Sequence, residues 1–263
     1  MDKFIKKFHL TFIVSVALSL IIGYAVQIQA APGHRINGNY FAVLQSFSKD
    51  NPQKILFLPV KLKMSEMSSG GVIEEVSQWS EQASENSHEA IFKYFASIPA
   101  VDIIDMVELT PEEQMIFDEH LALYDLICNN AYVFSYSSYP AWRHKEHHFD
   151  YTLGKGLNFL KEKTGADTCL FITGSDVIPT SGRKAMGVAG VIFGVPVSLG
   201  SSFLAISVVD LATGDIVWFN HRSGREIMDM RKPEDAYFTL RDILKDYPGL
   251  NIYLENYPEA KLK

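Results

Sequence analysis

The sequence predicts an α/β protein that leans towards α+β, with a mixed β-sheet of about five strands covered by four helices. Three apolar runs, 55–62, 101–107 and 166–178, are separated by segments with helical spacing, which indicates strands joined by helices. Two further strand-like runs follow one another around a glycine-containing turn near the C-terminus. The resulting order, β-α-β-α-α-β-β-β-α, favours one sheet covered by helices.

The first strand is predicted at 55–62, where Pro59 indicates an early end or an edge position because proline has no N–H to donate. The serine- and glycine-containing residues 64–71 predict a flexible turn. Apolar residues at helical spacing then predict a helix within 72–95, with a break near 85–87.

The second strand, 101–107, is followed by a helix that is predicted to run from Thr110 to Cys128. Its start is a threonine, a proline and two glutamates, which suit the cap and first turn of a helix, and two asparagines follow its end. A third helix is expected over 151–163, with Gly165 as its left-handed stop.

The C-terminal part is predicted to be a β-hairpin followed by a helix. The strands 203–210 and 216–220 flank the turn 211–215, which contains the sequence Thr-Gly-Asp. The last helix is expected to start at Pro233 and to end near Tyr247.

Residues 1–30 predict a secretory signal peptide. Three lysines precede an uncharged apolar run over 10–26, and small residues follow it, so cleavage is expected after Ala30 or Ala31. The alternative is a retained membrane anchor, because the run has the length of a short spanning helix. On either alternative the sequence predicts an exported protein of the periplasm or cell envelope.

The rest of the chain predicts a polar linker over 31–54 and one envelope α/β domain over 55–263. The formal net charge is −7, and loss of residues 1–30 would remove three lysines and one aspartate. An acidic protein repels phosphate backbones, which argues against nucleic acid as a partner. No sequence feature indicates a cofactor.

The two cysteines, Cys128 and Cys169, leave two alternatives open. In an oxidising compartment they can form a disulfide, and as residues of apolar segments they can equally be buried free thiols. The sequence contains no Cys-x-x-Cys motif, so neither a redox motif nor a cysteine-based zinc site is indicated.

A motif-level resemblance covers residues 149–220. A helical segment ends in Thr-Gly-Ala-Asp167, an apolar strand follows, and after a long excursion comes the hairpin Asp-Leu-Ala-Thr-Gly-Asp-Ile-Val-Trp218. This pattern resembles the periplasmic domain of the curli-secretion channel lipoprotein, the N-terminal domain of TolB, and the lipoprotein activators of peptidoglycan synthases. The resemblance implies a non-enzymatic interaction domain of the envelope and transfers no catalytic residue. The sequence lacks the lipidated cysteine of those lipoproteins.

The apolar, glycine-rich segment 185–200 is the predicted contact with a partner or with a membrane. An exposed apolar loop is typical of such contacts, and the alternative is a helix or loop packed over the sheet with glycines at close approaches. The candidate contact residues are Gly187, Gly190, Phe193, Gly194 and Pro196.

The His-rich loop 143–150 is the weak candidate for a metal site. Its possible ligands are His144, His147, His148 and Asp150, which suit zinc, copper or nickel. Two neighbouring basic residues, Arg143 and Lys145, oppose a bound cation, so the favoured interpretation is a solvated loop without a metal.

Three short motifs mimic the serine β-lactamase set: Ser46-x-x-Lys, Ser84-Glu-Asn and Lys163-Thr-Gly. A second Ser-x-x-Lys starts at Ser181. Lys163-Thr-Gly ends a predicted helix, where lysine suits the helix dipole and glycine suits the cap, so the motifs favour a structural role.

The sequence therefore predicts an exported, non-enzymatic protein that binds envelope proteins of unidentified kind, with peripheral membrane contact as a further option. The expected role is to assist a secretion system, a Tol-Pal-like system or the assembly of the cell wall. The alternative is a metal-dependent periplasmic hydrolase that uses the His-rich loop. A small-ligand-binding module is a third hypothesis, and the oligomeric state stays open.

Overall fold

The computed structural model describes residues 34–40, 43–44, 47–136, 145, 148–224 and 229–247. They belong to one compact unit, Gly33–Lys263. The signal peptide and its cleavage after Ala30 or Ala31 lie outside the described residues and stay predictions.

The described part of the chain forms eight strands and five α-helices. The strands are β1 Arg35–Ile36, β2 Gln53–Phe57, β3 Lys61–Met67, β4 Ile73–Glu75, β5 Val101–Ile104, β6 Thr168–Pro179, β7 Ser202–Asp210 and β8 Ile216–Gly224. The helices are α1 Ser77–Phe95, α2 Pro111–Tyr136, α3 Asn158–Thr164, α4 Ser181–Phe193 and α5 Pro233–Leu244.

All eight strands belong to one mixed sheet, so the predicted α/β class is confirmed. The main path is β1-β8-β7-β6-β2-β5, and β3 pairs with β6 and β4. Strands β2 and β3 both run parallel to β6, and β5 runs parallel to β2. Strand β7 is antiparallel to both of its neighbours, β6 and β8. The predicted number of about five strands was too low, as was the number of four helices.

The sheet has a core layer on each face. On one face it packs against α1 and α5, around fully buried side chains such as Trp218 and Ile91. On the other face it packs against α2 and α3, around Phe219, Leu160 and Tyr124. Burial of this apolar surface is the main favourable term in folding.

Two strands replace the single strand predicted at 55–62 and the turn predicted at 64–71. The N–H of Leu58 donates to the carbonyl of Leu170 at 3.2 Å, and Pro59 then interrupts the pairing. The chain returns to the same edge of β6 as β3, pairing from Lys61 with Thr173 onward. The turn prediction was wrong because alternating buried and exposed residues of β3 precede the short Ser/Gly turn.

The helix predicted within 72–95 is present, but it is continuous across 85–87. Two polar residues there are buried and satisfied, which removes the reason for a break. Asn86 donates to the carbonyl of Met230 at 3.0 Å, and the hydroxyl of Ser87 donates to the carbonyl of Ala83 at 2.6 Å.

Helix α2 starts as predicted and ends later. The side chain of Glu113 accepts from the Thr110 N–H at 2.8 Å, and the Thr110 hydroxyl accepts from the Glu113 N–H at 3.3 Å, which forms a capping box. The predicted end at Cys128 was wrong, because Asn130 donates to the Leu126 carbonyl one turn back and the buried helix face continues.

The helix predicted over 151–163 begins only at Asn158. The preceding residues instead bind the β7–β8 hairpin: the Ile216 N–H donates to the Tyr151 carbonyl at 2.9 Å, and the Leu153 N–H donates to the Gly214 carbonyl at 2.7 Å. Gly165 ends α3 with a φ of 70°, as predicted.

Both cysteines, Cys128 and Cys169, are free and buried in the core between α2 and the sheet. The sequence leaves open a disulfide and a pair of buried free thiols, and the structure has the free thiols. Burial raises the pKa of Cys128 to about 12, and it raises the pKa of Cys169 even further. Native protein therefore presents no reactive thiolate at these positions.

A buried histidine makes the stability of this fold depend on pH. Burial, and secondarily the charge of Arg35, lowers the pKa of His221 to about 4 from 6.5. The rings of Tyr132 and Tyr136 pack against it at 4.7 and 4.4 Å. The unfolded chain therefore binds a proton that the folded state rejects as the pH falls from about 6.5 to about 4.

We expect the free energy of unfolding to fall through this window, and to fall by about 2 kcal/mol less in His221→Gln between pH 7 and pH 4.5. Chemical denaturation at pH 7 and pH 4.5 measures the difference. Burial raises the pKa of Asp176, which acts in the opposite direction but equally in both proteins. An equal drop in wild type and variant would show that His221 is not the cause.

Candidate functional site: an exposed apolar helix at the end of the sheet

Helix α4 follows directly on the partly buried end of β6 and lies at one end of the sheet. Its N-cap is Thr180, whose hydroxyl accepts from the Arg183 N–H at 3.2 Å. The helix ends at Gly194, which has a φ of 71°, and residues 194–201 return to β7. We call α4 together with residues 194–201 the end element.

The end element displays apolar side chains to solvent on most of its surface. The most exposed are Val188 at 65%, Val191 at 66%, Ile192 at 72%, Phe193 at 79% and Val195 at 59% of their full area. Full burial of each of the larger side chains would contribute about 1.5–3 kcal/mol. The sequence could not decide whether segment 185–200 is exposed, and the structure shows that most of its residues are.

Two of the predicted contact residues, Gly187 and Gly190, are buried inside the end element. A Cβ on Gly187 would lie 2.7 Å from Leu199, and one on Gly190 would lie 2.4 Å from the carbonyl oxygen of Val195. These glycines let the helix and the return segment touch. The other three predicted residues, Phe193, Gly194 and Pro196, are exposed.

Arg183 holds the base of the end element. Its Nε donates to the carbonyl of Ser198 at 2.9 Å, and its Nη1 donates to the carbonyl of Ser69 at 3.3 Å. It thereby joins the start of α4 to the return segment and to the β3–β4 turn. The Thr180 N–H also donates to the Met67 carbonyl at 2.9 Å, so the base has two links to that hairpin.

Sequence reasoning missed the exposed residues Val188, Val191, Ile192 and Val195, and it missed the role of Arg183. One signal for the helix was available: Gly187 and Gly190 are three residues apart, and apolar residues occupy nearly all other positions from 185 to 193. On a helix, this spacing places both glycines on one side and apolar side chains on the other sides.

The His-rich loop is only partly described. His144 and His147 lie outside the described residues, whereas His148 and Asp150 are exposed. Asp150 forms an ion pair with Lys145, whose ammonium also lies 4.7 Å from the ring centre of Tyr151. Among the residues that the structure describes, no group of three or more ligands is placed to hold a metal ion.

The serine motifs do not come together. Ser84 lies on α1 and Lys163 lies on α3, which cover opposite faces of the sheet. The hydroxyl of Ser84 donates to the Ser80 carbonyl at 2.8 Å, and Lys163 pairs with Glu113 at 2.6 Å. Ser46 lies outside the described residues, and Ser181 starts α4 at the surface.

An open cleft of about 510 Å³ lies beside β7 and α2, and its wall is neutral. It is lined by Asn129, Tyr132, Ser175, Ser201, Ser202, Phe203, Ser223 and Gly224. No charged side chain is among these described lining residues, but the hydroxyl of the lining residue Ser202 donates to the buried carboxylate of Asp176.

Comparison with known proteins finds likenesses in structure alone. No protein-family model matches the chain, and no curated protein matches it. A PelC dodecamer from Paraburkholderia phytofirmans is 11% identical with a TM-score of 0.33, covering 75% of this chain and 88% of that chain.

Two further solved structures are similar to a lower degree. The LpoB C-terminal domain from Salmonella enterica is 12% identical with a TM-score of 0.25, covering 66% of this chain and 83% of that one. Lipoprotein GNA1162 from Neisseria meningitidis is 11% identical with a TM-score of 0.26, covering 65% and 81%. These values assign neither a family nor a function.

The contacts of Arg183 predict a test of how the end element is held. We expect Arg183→Ala to free the base of α4, so that native-state cleavage by chymotrypsin after the exposed Phe193 becomes at least several-fold faster. Lys184→Ala is the matched control, because Lys184 is the exposed neighbour on the same turn. Equal cleavage rates in the two variants would contradict a holding role for Arg183.

Proposed function

We propose that this protein is an exported, non-enzymatic component of the cell envelope that works by binding, and that the end element is its contact. The observation that carries the proposal is the exposure of Val191, Ile192 and Phe193 on a helix that covers no part of the core. Contiguous exposed apolar surface on a soluble domain is typical of an interaction site.

The end element does not serve as a cover for the sheet, which was the alternative interpretation of segment 185–200. In α4, the buried residues are the two glycines Gly187 and Gly190. Both pack against the return segment of the same element, at Leu199 and Val195. A structural role in the core would instead bury the valines, Ile192 and Phe193.

Export rests on the N-terminal pattern of lysines, an apolar run and small residues within 1–31. The non-enzymatic role is supported by the separation of Ser84 and Lys163, which lie on helices that cover opposite faces of the sheet. The hydrolase alternative gains no support from Asp150, because its carboxylate is already paired with Lys145. A role in secretion, in a Tol-Pal-like system or in cell-wall assembly is our more specific proposal.

The proposal predicts that position 193 is covered in the envelope and open in purified protein. In Phe193→Cys, we expect a membrane-impermeant maleimide to label the purified chain rapidly and the envelope-bound chain at least tenfold more slowly. The native thiols do not interfere, because Cys128 and Cys169 are at most 2% exposed.

Leu126→Cys is the matched control for this experiment. Leu126 is an apolar residue on α2 that is 66% exposed, and nothing assigns it to the contact. It should label equally in both settings. Equal labelling of position 193 in both settings would contradict the proposal, whatever the identity of the partner.

A further inference from the structure

We infer that the surface that covers the end element is a lipid bilayer, into which the element inserts tip first and to the depth of one leaflet. This inference rests on the proposed function and names the partner of the same site. Three features of the end element point to lipid rather than to a protein surface.

The first feature is the breadth of the apolar surface. At 100° per residue, the exposed apolar residues of α4 occupy an arc of roughly 220° around the helix axis. They are Ala185, Met186, Val188, Ala189, Val191, Ile192 and Phe193. A partner that docks on one side would leave part of this arc in water, whereas a bilayer surrounds the helix.

The second feature is the placement of charge. No aspartate or glutamate occurs from residue 177 to residue 209, and the charged residues there are Arg183 and Lys184. Both lie in the first turn of α4, at its base. Basic residues at the base and none at the tip suit a lipid headgroup layer with hydrocarbon beyond it.

The third feature is that the backbone N–H groups at the tip of the end element, residues 194–196, are hydrogen-bonded or absent. The N–H of Gly194 donates to the Val191 carbonyl at 3.4 Å, and the N–H of Val195 donates to the Gly190 carbonyl at 2.7 Å. The next residue, Pro196, has no N–H. A turn that enters hydrocarbon needs its donors satisfied in this way, because lipid offers no hydrogen-bond partner.

The length of the element sets its depth. From Lys184 to Phe193 a helix rises about 14 Å, which is close to half of a hydrocarbon core about 30 Å thick. At this length the end element reaches into one leaflet and stops. Among the described residues, no helix is long and apolar enough to cross a membrane.

Strand β4 lies beside the base of the end element, because Ile73 pairs with Met67 and Met67 pairs with Pro179. This strand exposes Ile73 and Glu74, and its Glu75 pairs with Lys63.

A fluorescent label reports insertion directly. The full chain with Phe193→Cys is labelled with the environment-sensitive dye NBD and mixed with vesicles of phosphatidylethanolamine and phosphatidylglycerol at a ratio of about 3:1. We expect a blue shift with at least a twofold rise in emission, and quenching by lipids that carry bromine on the acyl chain. Because the readout is local, binding through the N-terminal segment does not produce it.

Two matched variants complete the experiment. NBD at Leu126→Cys should show neither the shift nor the quenching. Ile192→Asp in the Phe193→Cys background should weaken the response at position 193 at least tenfold, and circular dichroism checks that this variant stays folded.

The outcomes separate this inference from the proposed function. Lack of quenching at position 193 overturns the bilayer assignment. If the same position is nevertheless protected from maleimide in the envelope, a protein covers the element and the proposed function stands. If it is unprotected there as well, both are overturned.

Discussion

The length of strand β6 decides where helix α4 lies. Its first five residues, from Thr168 to Ile172, are buried between the two core layers, and most of the remaining residues to Pro179 are only partly covered. The strand is supported beyond the core by β3 on one edge and β7 on the other. It therefore carries α4 to a place where no core layer is available to receive an apolar helix.

The shape of the end element follows from a few contacts at its base and along its inner side. Gly187 and Gly190 allow the return segment to lie against the helix, and Arg183 ties both to the β3–β4 turn. Because the inner side consists of glycine, nearly every large apolar side chain of α4 points outward. The same residues that make the element compact thus make its outside apolar.

Local signals in the sequence predicted much of the fold. The helix start at Thr110, the left-handed Gly165 and the β7–β8 hairpin all depend on neighbouring residues, and all three are present. Tertiary contacts account for the wrong boundaries of two helices. Helix α3 starts later than predicted because Tyr151 and Leu153 form hydrogen bonds with the distant β7–β8 hairpin. Helix α2 continues past Cys128 because Ala131 and Ser135 are also buried.

The candidate site could be predicted as a segment but not as a surface. The composition of 185–200 singled out Phe193 and Pro196. Whether this segment is exposed depends on where β6 ends and on which elements lie beside that end. The glycines were chosen as contacts, since a sequence does not tell which side of a helix a glycine occupies. Only the tertiary placement separates the inner side, with Gly190, from the outer side, with Val188 and Val191.

Thiol labelling of the purified chain measures whether α4 is open to solvent on most sides. Single cysteines at Val188, Val191 and Ile192 sample separate positions around the helix. We expect all three to label at rates within about threefold of an exposed control at Leu126, while native Cys128 and Cys169 stay unlabelled until the protein unfolds. Protection of any one of the three positions would show that α4 lies against the domain and is not open on most sides.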